Sequence, residues 1–439
     1  MTAPTGPSLR SRLILLAALA ALAVAGVLVY RHSSAPPPGM DPPAPDLADV
    51  DPAIRGAIER ARADVEHDRR SGTAWGRLGM AFYAHIFAPE AMTCFEQAER
   101  LDPDDPRWPY FQGLVLRATD PPAAIPKLRR AVELTGDRVD VPRLFLAEAY
   151  LQAGDPAEAR PNFQAVVRIA PNHPRAHLGL ARLDFEAGDL AGCREHLRYA
   201  LPDRFTRKAA LLLSAEAYQR AGDGAAARRD RAQAVGLPDA PNWPDPYADE
   251  MAQFQVGEVA GIRMAAQMLD NDSPRDAVGV LEGVVHDYPN SAGGWMTLGL
   301  ARLNVGQPAA AEAALRRSLE IDPSQPRAWM GLAFTRLRQR DRAEAVRCLR
   351  KAAELKPSFL EAHLTLGMVL KEAGEPDAAA AAFEAALRCQ PLSAPAHAQL
   401  GEVLLKRGRT DEAVAHLKQA VELNPNDAAS KTLLEGVRK

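Results

Sequence analysis

Cysteine is almost absent from this chain: Cys94, Cys193, Cys348 and Cys389 are the only four in 439 residues. Four so scattered thiols make no disulfide framework, and the lack of a CxxC pair leaves a zinc or rubredoxin-like site without support. Aromatic residues are also scarce, at 6%. A net charge of −3 gives no electrostatic reason to expect nucleic acid. There is no glycine-rich phosphate loop and no GxSxG elbow, and the carboxylates fall on solvated helix faces without a paired constellation. No catalytic residue, no metal site and no cofactor is therefore expected, and the chain reads as a non-enzyme. Lysine is scarce beside arginine while alanine is very frequent, a bias that reads as a GC-rich genome and hence a bacterial source.

What the chain does have begins at its N-terminus. After a short polar stretch, 1–12, the run Leu13–Tyr30 is apolar or small throughout. At 1.5 Å per residue it spans roughly 27 Å as a helix, near the thickness of a hydrocarbon core. Arg10 and Arg12 precede it, and Asp41, Asp46 and Asp49 follow Arg31. The positive-inside bias then places residues 1–12 in the cytoplasm and the remainder on the non-cytoplasmic side, as a single-pass protein of a bacterial inner membrane. Ala23-Val24-Ala25 offers the alternative of a cleaved signal peptide and an exported protein. The apolar run continues past that site to Tyr30, which favours an uncleaved anchor. Residues 31–52 are proline-rich and read as a semi-rigid spacer. Residues 53–71 carry Ile54, Ala57, Ile58, Ala61 and Val65 on one helical face and read as a capping helix.

From Gly72 the chain repeats. Pro289, Pro323, Pro357, Pro391 and Pro425 stand thirty-four residues apart, and Pro103 and Pro171 keep the same period. The first repeat carries Trp75, Leu78, Gly79, Phe82, Ala91, Phe95, Ala98 and Pro103, and later repeats carry Trp295, Leu298, Gly299 and Ala311 or Leu366, Gly367, Ala379 and Phe383. Large residues at positions four, seven and eleven line one stripe of a first helix. Small residues at eight and twenty let an antiparallel second helix approach, and a large residue at twenty-four fills the space between. Glycine near position fifteen (Gly154, Gly188, Gly306, Gly374, Gly408) ends the first helix in a left-handed turn. His177, His363 and His397 share position four with Trp75 and Trp295, and packing explains them.

On these residues the segment 72–427 resembles the tetratricopeptide-repeat (TPR) superfamily. The resemblance implies an all-α fold, an α-solenoid of about ten helix-turn-helix repeats, preceded here by one transmembrane helix. The register divides the repeats into a block at 72–234 and a block at 258–427, separated by an insert at 235–257; residues 428–439 read as a C-terminal capping helix. The resemblance also implies a concave face, lined by positions two, five, nine, twelve and thirteen, that binds segments of partner proteins. Those positions hold Met296, Leu300, Leu303, Met330, Phe334, Leu337, Leu364 and Met368 in the second block, an apolar stripe suited to a helical or apolar peptide. The lysines and asparagines of a carboxylate clamp are missing: Thr73, Gly76, Met80, Arg327, Glu361 and Ala398 stand there instead. In the insert, Trp243 and Tyr247 among prolines form either a ligand lip or a plug between helical blocks. The expected function is a membrane-tethered scaffold or assembly chaperone with protein partners. The alternative is an accessory subunit of an envelope enzyme or of cytochrome or glycan assembly machinery.

Overall fold

The computed structural model describes residues 40–136, 139–235, 237 and 245–437. The run Leu13–Tyr30, expected to cross a membrane, and the aromatic Trp243 lie outside the described residues. Among the described residues no helix is long and apolar enough to span a bilayer.

All regular structure among the described residues is helical. The chain packs as two compact units. The first comprises residues up to Pro142 together with Glu250–Phe254. It holds α1 (Pro52–His67), α2 (Gly72–Ala84), α3 (Ala88–Leu101), α4 (Arg107–Arg117) and α5 (Pro121–Thr135). The second comprises Arg143–Asp249 and the residues from Gln255 onward. Its helices run in pairs: α6 (Val141–Gln152) with α7 (Pro156–Ile169), α8 (Pro174–Glu186) with α9 (Leu190–Ala200), and α10 (Arg207–Arg220) with α11 (Gly224–Val235). After α12 (Pro246–Met251) and a 3-10 turn at Ala252–Phe254, of which Glu250–Phe254 belongs to the first unit, come α13 (Glu258–Asp270) with α14 (Pro274–Asp287), and α15 (Ala292–Asn304) with α16 (Pro308–Ile321). The array ends with α17 (Pro326–Arg338) and α18 (Arg342–Leu355), α19 (Leu360–Glu372) and α20 (Pro376–Cys389), α21 (Ala394–Lys406) and α22 (Thr410–Leu423), and the terminal α23 (Ala428–Val437) against α22.

The local chemistry that sets these boundaries recurs. Ser71, Ser291 and Ser393 cap first helices, their hydroxyls accepting from the amides of Ala74, Gly294 and Ala396. Asp120, Asp155 and Asp341 do the same for second helices. Each such cap is worth about 1 kcal/mol. The close approach expected at positions eight and twenty-four is present: a Cβ on Gly367 would lie 2.5 Å from the ring of fully buried Phe383, and one on Gly299 equally close to Leu315. Position twenty is filled by alanine with no exposure at Ala91, Ala311, Ala345, Ala379 and Ala413.

Position four carries more than packing. The indole N–H of Trp295 donates to the carbonyl of Pro289 at 3.0 Å, and that of Trp329 to Pro323 at 2.9 Å. The Nε2 of His177, His363 and His397 makes the same bond to Pro171, Pro357 and Pro391 at 2.8, 3.0 and 3.0 Å. Because a carbonyl only accepts, each of these imidazoles carries its proton on Nε2. Trp and His alternate at this position because both present a ring N–H at the same reach.

The turn at position fifteen is left-handed between most helix pairs, with φ from 73 to 84° at Gly154, Gly188, Gly222, Gly306, Gly374 and Gly408, whereas the turn between α4 and α5 is not, with Ala118 at φ −75° and Asp120 at −145°. Three repeats hold a side chain there instead: Ile86 (φ 70°), Asp272 (φ 59°) and Arg340 (φ 64°).

Candidate functional site

The first helices α15, α17 and α19 of three successive pairs carry the apolar stripe read from the sequence, and the structure sorts its members. Leu303 is buried, and Met296 and Leu300 pack with it against Leu315 and Ala328. Leu300 reaches the space left by Gly331, where a Cβ would lie 2.9 Å from its methyl group. Met330, Leu337 and Leu364 are half-buried against the core around Leu349, Leu366 and Phe383. Phe334 and Met368 differ: they stay 37% and 42% exposed, large apolar side chains with no place in that core.

Phe334 and Met368 face one cleft between α17 and α19, with a volume of about 540 Å³. Leu337, Thr365 and Val369 complete its apolar side. Its rim is charged. Arg342, at the start of α18, pairs with Glu372 at 3.3 Å, both side chains well exposed. Arg340 also lines the cleft, and among the described residues its guanidinium makes no ion pair. The site is therefore an open apolar trough with one unbalanced cation at its edge. That cation is held by a residue in the left-handed region, where a non-glycine side chain costs roughly 1–2 kcal/mol. Sequence reasoning passed over Arg340; the signal was the missing glycine at position fifteen of this one repeat.

Tyr247, the described half of the aromatic pair in the insert, is half-buried near the start of α12, its amide donating to Asp245 at 2.9 Å. The four cysteines are free thiols, and burial raises the Cys193 and Cys348 thiols to about 11. They are neutral at physiological pH and belong to packing. Among the described residues no group of three His, Cys, Asp or Glu is placed to hold a metal ion.

The sequence model of the family described as the C-terminal domain of cilia and flagella-associated protein 70 matches residues 205–435, just over half of the chain. A second, described as a tetratricopeptide repeat, matches residues 150–207. No curated protein sequence matches the chain. Among solved structures it is similar to the crystal structure of MamA, at 24% identity and TM-score 0.35, over 37% of this chain and 96% of that one. It is similar to YrrB, a TPR protein with an unusual peptide-binding site, at 16% identity and TM-score 0.35, over 44% of this chain and 98% of that one. TTC0263, a thermophilic TPR protein in Thermus thermophilus, is similar at 22% identity and TM-score 0.34, over 42% and 99%. The register of the helix pairs and the extent of the family match together place the chain: it belongs to the tetratricopeptide-repeat superfamily, in the family of the cilia and flagella-associated protein 70 C-terminal domain.

Proposed function

We propose that this chain is a membrane-tethered interaction scaffold whose cleft between α17 and α19 takes an amphipathic helical segment of a partner protein. The observation that carries this reading is the exposed Phe334–Met368 pair beside the unpaired Arg340. Burying the exposed two-fifths of each side chain stabilises a complex by roughly 0.6–1.2 kcal/mol each, before the cost of association. Arg340 selects a segment with a carboxylate at the matching edge, since an unpaired cation at an apolar rim favours an opposite charge. The apolar run 13–30 and the proline-rich residues 31–52 supply the tether and spacer, with the repeats on the non-cytoplasmic side of a bacterial inner membrane.

A photo-reactive residue in place of Met368 should crosslink one partner, and mapping the crosslink gives its segment. Phe334→Asp should then weaken binding of that segment, as a labelled peptide, by tenfold or more while leaving the helical circular dichroism unchanged. Undiminished binding by a folded Phe334→Asp chain would sink the cleft reading. The tether is tested separately: the full chain should sediment with membranes after carbonate washing, and a chain lacking residues 1–39 should not.

A further inference from the structure

The first unit holds a piece of chain drawn from far along the sequence. The segment Glu250–Phe254 belongs to that unit by contact, although 107 residues of chain separate it from Pro142. Its 3-10 turn packs on α2. Arg107, at position two of the second repeat, donates through Nη1 to Glu250 at 2.8 Å, while Asp105 holds the rest of its guanidinium through Nε and Nη2 at 3.0 and 2.6 Å. His85, one residue beyond α2, donates from Nε2 to the carbonyl of Phe254 at 2.6 Å. The Phe254 ring lies under Arg77, 5.9 Å from its guanidinium carbon, and Met251 and Phe254 are both buried. Gln253 closes the turn by donating to the Glu250 carbonyl at 2.8 Å.

The contacts of Glu250–Phe254 have the anatomy of a bound peptide: a carboxylate on an oriented arginine, an aromatic ring one helical turn later, and a backbone carbonyl on a histidine.

We propose that the face formed by α2 and α4 is a second recognition surface, independent of the cleft between α17 and α19. It takes a short helical turn of a partner protein carrying a carboxylate and, four residues on, an aromatic ring. Glu250–Phe254 is the chain's own copy of that ligand and keeps the surface closed until a partner segment displaces it. A ligand carried on the same chain competes at an effective concentration of order mM. A free peptide that binds the empty surface with a Kd of about 0.1 mM is then weakened about tenfold by the resident segment.

The probe is a fluorescent synthetic peptide with the sequence of residues 245–256, DPYADEMAQFQV, added to the full chain and followed by anisotropy. A chain carrying both Glu250→Gln and Phe254→Ser should bind it about tenfold more tightly than the unaltered chain. Adding Arg107→Glu to that chain should abolish binding, and a peptide with Glu250→Arg should restore it. If the double variant unfolds, Glu250→Lys alone should still raise peptide affinity, by a smaller factor. Equal binding to the emptied and unaltered chains, or no binding by an emptied chain that keeps its helical content, overturns the proposal and leaves the segment a structural staple. Failure here does not touch the Phe334 cleft, whose variants and probe are different.

Discussion

Replacing Arg340 by glycine should stabilise the protein and weaken the cleft at the same time. Arg340 sits at φ 64° in a turn where six other repeats use glycine. A left-handed conformation costs a non-glycine residue roughly 1–2 kcal/mol. Glycine recovers that strain but loses about 0.4–1 kcal/mol through the greater freedom of the unfolded chain. No ion pair among the described residues is forfeited, so the net gain should be about 0.5–1 kcal/mol. Urea unfolding with an unchanged m value and a raised midpoint would register it, and hydrogen exchange at α17 and α18 would localise it in an array whose repeats need not unfold together. Arg340→Ala is the control, because it keeps the strained turn and removes only the cation. Both variants should weaken the partner peptide to a similar degree, but only glycine should stabilise. A glycine variant no more stable than wild type would refute the claim of strain. A stabilised variant with undiminished affinity would remove Arg340 from the site.

Two further outcomes follow from the packing. Gly367→Val should lower the melting temperature, because its first added carbon would already lie 2.5 Å from the Phe383 ring and overpacking a core costs about 1–3 kcal/mol; an unchanged melting temperature would mean that α19 and α20 are not so close. Stability should also fall as pH drops below about 6.5, the ordinary imidazole value. Burial holds His196, His397 and His416 below that value, so the unfolded chain takes up their protons first and the stabilisation, full above it, is lost on acidification. The structure explains the resistance of His397 in particular: its Nε2–H is committed to Pro391, so its Nδ1 accepts from Nδ1–H of His416 at 2.9 Å, and a proton added to that Nδ1 would set two donors face to face. Each group loses at most about 1.4 kcal/mol per pH unit, and His416→Leu should shrink the difference in unfolding midpoint between about pH 7.5 and pH 5; an identical difference would count against the pair.

The helix pairs were legible because one spacing fixes both helices. Prolines thirty-four residues apart mark where second helices stop, and the glycines of position fifteen mark where first helices do. The carbonyl acceptors of position four were not legible, because register shows that Trp295 and His363 are equivalent without showing what their ring nitrogens touch. The groove was half legible. Repeat position alone treats Leu300 and Phe334 alike, yet their fates depend on the next repeat. Leu300 meets Gly331 and folds into the space, while the equivalent position beyond Phe334 is Thr365, and Phe334 stays out in the cleft. The docking of Glu250–Phe254 on His85 and Arg107 left no trace in the pattern at all, since it joins residues more than 140 apart that share no periodicity.

The bond from position four to the proline carbonyl also decides where this chain can be cut. The acceptor lies six residues before the donor, on the far side of the boundary that the repeat pattern draws. A fragment that starts at Ala292, the first residue of α15, leaves the indole of Trp295 with nothing to donate to, whereas one that starts at Pro289 brings its acceptor along. For expression or grafting, the module is therefore a first helix with the preceding proline turn attached, and the two ends of any excised piece are not equivalent: trimming costs a hydrogen bond at the front and none of this kind at the back.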